Sequence, residues 1–187
     1  MTPRSPGTLD HLEGIAANEA LLARWQSAGA NWVVALPGAP AQQRVLLEAF
    51  ELYLDRCEGD ARLIVLARDA GAASVGAFRD ALERRGLAAH AECLVDADDA
   101  DTKSALLSGD ALLLADAHDD LVRAAAMLGT PVVTLAGDAV ADAAGLAWDA
   151  ADPRLLAATV ERLREDAVLR MQLRARGFVA SARGTGA

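Results

Sequence analysis

The stretch HDDLVRAAAMLGTPVV, residues 118–133, opens on an imidazole beside a carboxylate, His118 and Asp119, three and four residues past the apolar run ALLLA (111–115). Such a pair at the end of an apolar run can hold a ligand hydroxyl or steady a reacting centre, and it can equally cap a helix or hydrogen-bond within an exposed turn. Three other polar stretches follow apolar runs in the same way. LPGAPAQQR offers Gly38, Gln42 and Arg44, ARDAGAAS offers Arg68 beside Asp69, and AGDAVAD offers Gly137. A glycine lets the backbone approach a ligand closely, although a tight strand-to-helix turn needs one as well. Arg68 and Asp69 can touch a ligand or pair with each other at the surface, where such a pair is worth little. The run DADDAD (96–101) has calcium-type oxygen ligands but lacks the glycine and the terminal glutamate of an EF-hand loop. It reads as a solvated acidic loop that caps the next helix.

Composition narrows the classes of function. The chain has 187 residues, is 53% hydrophobic and carries a formal net charge of −9. One domain fits this length. The acidic balance argues against nucleic acid as a partner, because affinity for a phosphate backbone is built from lysine and arginine. Cys57 and Cys93 are the two cysteines, far apart and without a further Cys or His at metal-ligand spacing, so neither a disulfide framework nor a zinc site is implied and a reducing cytoplasm suits the chain. No cofactor is indicated. The opening MTPRSPGTLDHLEG has no signal-peptide core, and no apolar run approaches the roughly 20 residues of a membrane helix, so no integral membrane segment is expected.

The elements that must position these groups alternate between two periods. NWVVAL (31–36), RLIVLA (62–67), AECLV (91–95), ALLLA (111–115), PVVTL (131–135) and the shorter GLAW (145–148) read as strands. Between them, Leu46, Leu47, Phe50, Tyr53, Leu54 and Cys57, then Val75, Phe78 and Leu82, recur at three- and four-residue steps as helices do. Strands that are apolar throughout are covered on both faces, which predicts a doubly wound, Rossmann-like parallel sheet with helices on both faces. Leu9 to Trp25 predict a helical lead-in covering one sheet edge. Asp152 as N-cap and Pro153 at the first helical position begin two terminal helices. Residues 1–8 are expected to be a flexible N-terminus, 9–180 a single domain, and 181–187 a disordered tail. The loops after residues 36, 67, 95, 115 and 135 then share the carboxyl edge of the sheet, where open α/β sheets bind their ligands.

Taken in order, these pieces resemble the C-terminal, nucleotide-sugar-binding half of GT-B glycosyltransferases of retaining family 4. NWVVALPGAPAQQRVLLEAFELYLDRCEGDARLIVL is similar to that family's opening strand, turn, Leu-Leu-x-Ala-Phe helix and following strand. GDALLLADAH is similar to the strand leading to its Ser-x-His-Glu-Gly-Phe turn, LGTPVV to its Gly-x-Pro-Val-Val strand, and GLAWDAADPRLLA to its closing Gly-Leu and Asp-Pro stretch. The resemblance runs from about residue 9 to residue 178. It implies a donor domain for a nucleoside-diphosphate sugar, whose acceptor-binding half would come from a partner chain.

The ligand set implied by the resemblance is incomplete. Where the family places an arginine and a lysine against the diphosphate, this chain has Pro37 and Gln42. Glutamine can hydrogen-bond a phosphate without supplying charge, and proline supplies neither charge nor an N–H. Arg44 compensates if the turn is re-registered, and otherwise is a solvated charge on the first turn of a helix. His118 and Asp119 take the place of the His-Glu pair facing the transferred sugar, with about three residues deleted after them. Ala124 falls where the family has the glutamate that binds ribose. Gly38, Gly137 and Arg68 complete the expected contacts. Two readings follow, a donor domain weakened or inactive on its own and a non-catalytic relative kept for binding or assembly. A third reading, an unrelated doubly wound domain such as a phosphoacceptor receiver, is the weakest, since the turn after the first strand, PGAPAQQR, has no carboxylate.

Overall fold

The computed structural model describes residues 12, 14–27, 29–68, 70–116, 119–135, 145–148 and 151–184. Its centre is a sheet of six parallel strands in the order β3-β2-β1-β4-β5-β6, with β1 at Asn31–Ala35, β2 at Arg62–Ala67, β3 at Ala91–Val95, β4 at Ala111–Leu114, β5 at Val132–Leu135 and β6 at Gly145–Trp148. The helices are α1 (Glu19–Gln26), α2 (Pro40–Arg56), α3 (Ala72–Arg84), α4 (Asp99–Ser108), α5 (Asp119–Leu128), α6 (Pro153–Glu165) and α7 (Ala167–Gly184). All six strand expectations are met to within one residue. The doubly wound α/β architecture is the one expected.

The side-chain period of two divides β1 between two core layers. Trp32 and Val34 meet Leu46, Phe50 and Tyr53 of α2, Phe78 and Leu82 of α3, and Leu156, Val160 and Leu163 of α6. Val33 and Ala35 face the other way, toward Trp25 of α1, Leu106 of α4 and Leu121 of α5. Trp32 and Phe50 meet edge to face at 5.4 Å, a geometry that adds about 0.5–1.5 kcal/mol beyond the area buried. Every residue of β1 is buried. Strand β3, at the outer end of the order, is only half-buried along most of its length, so Cys93, which lies within a run read as a strand covered on both faces, is half-buried as well. An outermost strand lacks a neighbour on one edge, and this is the reason for the difference.

The helix ends carry the sequence signals. Asp152 Oδ1 accepts from the N–H of Arg154 at 2.9 Å and of Leu155 at 3.3 Å, with Pro153 beginning α6. The acidic run 96–101 contributes Asp98, whose carboxylate accepts from the Asp101 N–H at 2.8 Å and caps α4. Asn18 caps α1 by accepting from Leu21 N–H at 3.3 Å, so α1 starts at residue 19, while residues 9–11 of the expected lead-in lie outside the described residues. It packs on α4, where Lys103 Nζ donates to the carbonyls of Leu12 at 2.8 Å and Ile15 at 2.7 Å. Trp25 Nε1 reaches Glu92 on the outer strand β3 at 2.9 Å, so the lead-in does meet that edge. At the other edge α6 packs on α2 and β6 while α7 packs on α5. Helix α7 continues to Gly184 where a disordered tail was expected from 181, because Ala180 and Ala182 are strong helix formers. Residues 1–8 and 185–187 lie outside the described residues.

Two glycines give opposite expectations. A Cβ at Gly109, between α4 and β4, would lie 2.6 Å from Cγ2 of the buried Val33, whereas one at Gly76 in α3 would meet nothing within 4 Å. Gly109→Ala should therefore lose about 1–3 kcal/mol, and Gly76→Ala should gain about 0.5–1 kcal/mol, both read by urea unfolding. Burial also pushes up the thiols of Cys57 and Cys93 and the phenol of Tyr53, in the last case against a hydrogen bond from Arg164 that lowers it. Each group ionises less readily in the folded chain, so the unfolded state loses these protons first as pH rises. Their contribution should hold below the ordinary thiol value of about 8.5 and fall as pH climbs through the raised folded values. Melting curves from pH 7 to 11 should show this fall, and it should be smaller in a Cys57→Ala, Cys93→Ala, Tyr53→Phe triple variant.

Candidate functional site

The order of the strands reverses direction between β1 and β4, since the chain builds outward from β1 to β3 and then crosses to β4. Ligands of open α/β sheets bind in the crevice outside the carboxyl ends at such a point. Here the turn from β1 to α2, residues 36–39, faces the residues that follow β4. The two meet through hydrogen bonds within the chain. Gly38 N–H donates to Oδ2 of Asp116 at 2.9 Å, across 78 positions of sequence. Gln42 Nε2 donates to the carbonyl of Ala115 at 3.3 Å, while Gln42 Oε1 accepts from Ala39 N–H at 3.3 Å. Gln43 Nε2 donates to the carbonyl of Pro37 at 2.7 Å.

Local sequence explains the turn. Pro40 takes the first helical position of α2, where its missing N–H costs nothing, and Ala39 as N-cap has no side-chain oxygen to give. Gln42 supplies the return half of a capping box by reaching back to Ala39 N–H. The first turn of α2 carries no acidic residue, so its positive end is met by Asp116 from the other side of the switch point. A carboxylate there is favoured by the helix dipole.

The site residues expected from sequence divide into three groups. Gly38 and Gln42 do come together with the end of β4, and both the oxygen and the nitrogen of the Gln42 side-chain amide are engaged within the chain. Arg44 does not join them: its side chain is 67% exposed and lies 4.0 Å from Glu48 one turn along α2. Arg68 sits just past β2, the strand beside β1, and is half-buried with its Nη1 buried and without a hydrogen-bond partner. His118 and Gly137, along with Asp69, fall outside the described residues, and of Asp119 only its place at the start of α5 is described.

The positions of the expected losses are informative. Pro37 is buried, and its carbonyl is already used by Gln43. Ala124 is 1% exposed and packs into the apolar layer formed with α4 and the sheet. A glutamate at residue 124 would thus enter the core, where an unpaired carboxylate is strongly disfavoured. Sequence reasoning missed Asp116. Its signal was present, an acid directly after the apolar run ALLLA (111–115) at the strand that borders the switch point, but His118 and Asp119 drew the reading. Between α2 and α6, a hydrogen bond to Tyr53 raises the Arg164 guanidinium above its ordinary value.

No family model and no curated protein matches the sequence. Solved structures do match its fold. The C-terminal domain of a glycosyl transferase group 1 family protein, LpcC, from Francisella tularensis superimposes with a TM-score of 0.66 at 14% identity, over 92% of this chain and 96% of that domain. Anabaena HepE, solved in complex with UDP and glucose, gives 0.68 at 15% identity over 92% of this chain and 50% of its own. A putative UDP-N-acetylglucosamine 2-epimerase from Listeria monocytogenes gives 0.67 at 16% identity over 94% of this chain and 49% of its own. The fold is that of one half of a GT-B protein. This chain spans about half the length of HepE and of the epimerase.

The bridging role of Gln42 can be measured. Gln42→Ala removes an acceptor from Ala39 N–H and a donor to Ala115, and should cost about 1 kcal/mol. Arg44→Ala removes a long surface pair and should change stability by less than about 0.5 kcal/mol. Guanidinium unfolding of the two variants side by side tests the difference.

Proposed function

We propose that this chain is a donor-side half-domain of the GT-B kind, of retaining family 4 ancestry, that takes a nucleoside-diphosphate sugar weakly and transfers no sugar unaided. The observation that carries this reading is the switch-point turn between β1 and α2. It has the place and backbone of an anion site, with Gly38 N–H and the start of a 17-residue helix, yet Pro37, Gln42 and Gln43 line it where charge is wanted. Arg44 points to Glu48 instead. Arg68, with a buried Nη1 that has no partner, is the described cation best placed to meet a ligand oxygen from the neighbouring strand. His118 and Asp119 would face the sugar, and Gly137 would approach it from the loop after β5.

The acceptor half would come from a partner chain, in a cytoplasmic setting that suits two free thiols. Neighbours that hold UDP, such as HepE, support the class of ligand. A second reading, a non-catalytic module kept for binding or assembly, is favoured by one observation: the amide of Gln42 is committed at both ends to the chain itself.

Each charge-assisted phosphate contact is worth roughly 1.5–3 kcal/mol, and two are absent, so affinity should fall by two to four orders of magnitude from that of a charged site. Calorimetric titration with UDP, GDP and ADP should give dissociation constants on the order of 1 mM, with a preference for one base. Micromolar binding would contradict the weakened site, and the absence of binding to all three at 10 mM, as an order of magnitude above that constant, would leave the non-catalytic reading.

A further inference from the structure

Asp116 has no part in the ligand set just described, yet it makes the one described contact that joins the two sides of the switch point through Gly38. Its carboxylate sits on the backbone N–H that a ligand phosphate would need, before a helix whose first turn carries no acidic side chain. The residue is exposed, so neither packing nor burial requires a carboxylate at this place. The neighbouring Ala39 N–H is served by Gln42 from within α2.

We propose that Asp116 is an internal occupant of the anion position, an autoinhibitory contact that closes the site until a phosphate-bearing ligand displaces it. This rests on the reading of the switch point as a donor site and adds its regulation. Two effects act together. A phosphate oxygen and Asp116 Oδ2 compete for the same Gly38 N–H, and the two anions repel each other while they share the crevice. Repulsion between unit charges a few ångströms apart is worth about tenfold in affinity near a solvated surface. The contact is exposed, so displacement needs no unfolding of the layers beneath it.

The charge and the occupancy can be separated by substitution. Asp116→Asn keeps an oxygen for Gly38 N–H and removes the charge, whereas Asp116→Ala removes both. The probe is inorganic pyrophosphate, titrated by calorimetry into the full chain and followed at the Gly38 amide resonance in 15N-labelled protein. Pyrophosphate affinity should rise roughly tenfold in Asp116→Asn and further in Asp116→Ala, with the Gly38 amide shifting on titration. Variants that melt as the wild type does and bind pyrophosphate no better would overturn the proposal, as would wild-type chain whose Gly38 amide already responds to pyrophosphate as strongly as the variants. A parallel titration with UDP distinguishes this result from the functional reading. Gain for pyrophosphate with no added affinity for UDP keeps the autoinhibitory contact and removes the nucleotide, while added affinity for UDP keeps both.

Discussion

The enclosure of β1 is the constraint on which the rest of the molecule depends. The strand is paired on one edge with β2 and on the other with β4, and core layers cover both its faces. No side chain along it can reach water, so polar work is confined to its two ends. At the amino end the buried Asn31 gathers the layers, its Nδ2 donating to the carbonyls of Trp25 at 3.0 Å and Ser108 at 3.2 Å while its N–H donates to Asp110 at 2.9 Å. At the carboxyl end the backbone emerges at Gly38 and meets Asp116. One end of the strand secures the fold, and the other is where a ligand could be met.

The electrostatics of that second end differ from those of a phosphate site. A donor site for a diphosphate concentrates fixed positive charge where negative charge develops. Here the helix end and one backbone amide supply the positive potential, and a carboxylate of the chain already answers it. The rest of the turn is closed by amide side chains, which satisfy the backbone without adding charge. In a chain of net charge −9, such a turn is stable as it stands and has little to attract an anion from solution.

Much of the fold was legible in the sequence because it rests on local patterns. Runs such as LIVLA (63–67) and ALLLA (111–115) announce their strands by unbroken apolar character, and Asp152 with Pro153 announces α6 by the chemistry of a helix start. The half-exposure of β3 was not legible, since the order of strands in a sheet is decided by crossovers between distant segments. The place of Ala124 was also hidden. The family resemblance puts it opposite a ligand, whereas the packing of α5 against the sheet puts it in the core.

The sequence by itself determined the alternation of strand and helix, the covering of both sheet faces and the lack of cationic residues at Pro37 and Gln42, because each is a property of residue type or of neighbours within a few positions. Only the tertiary structure decided that β1 and β4 border the switch point, that Gln42 is spent on both sides of it, and that Asp116 occupies the Gly38 amide. The last contact joins residues 78 apart in sequence. Nothing in the local pattern of either loop encodes such a meeting, which exists only once the parallel sheet has set the two strand ends side by side.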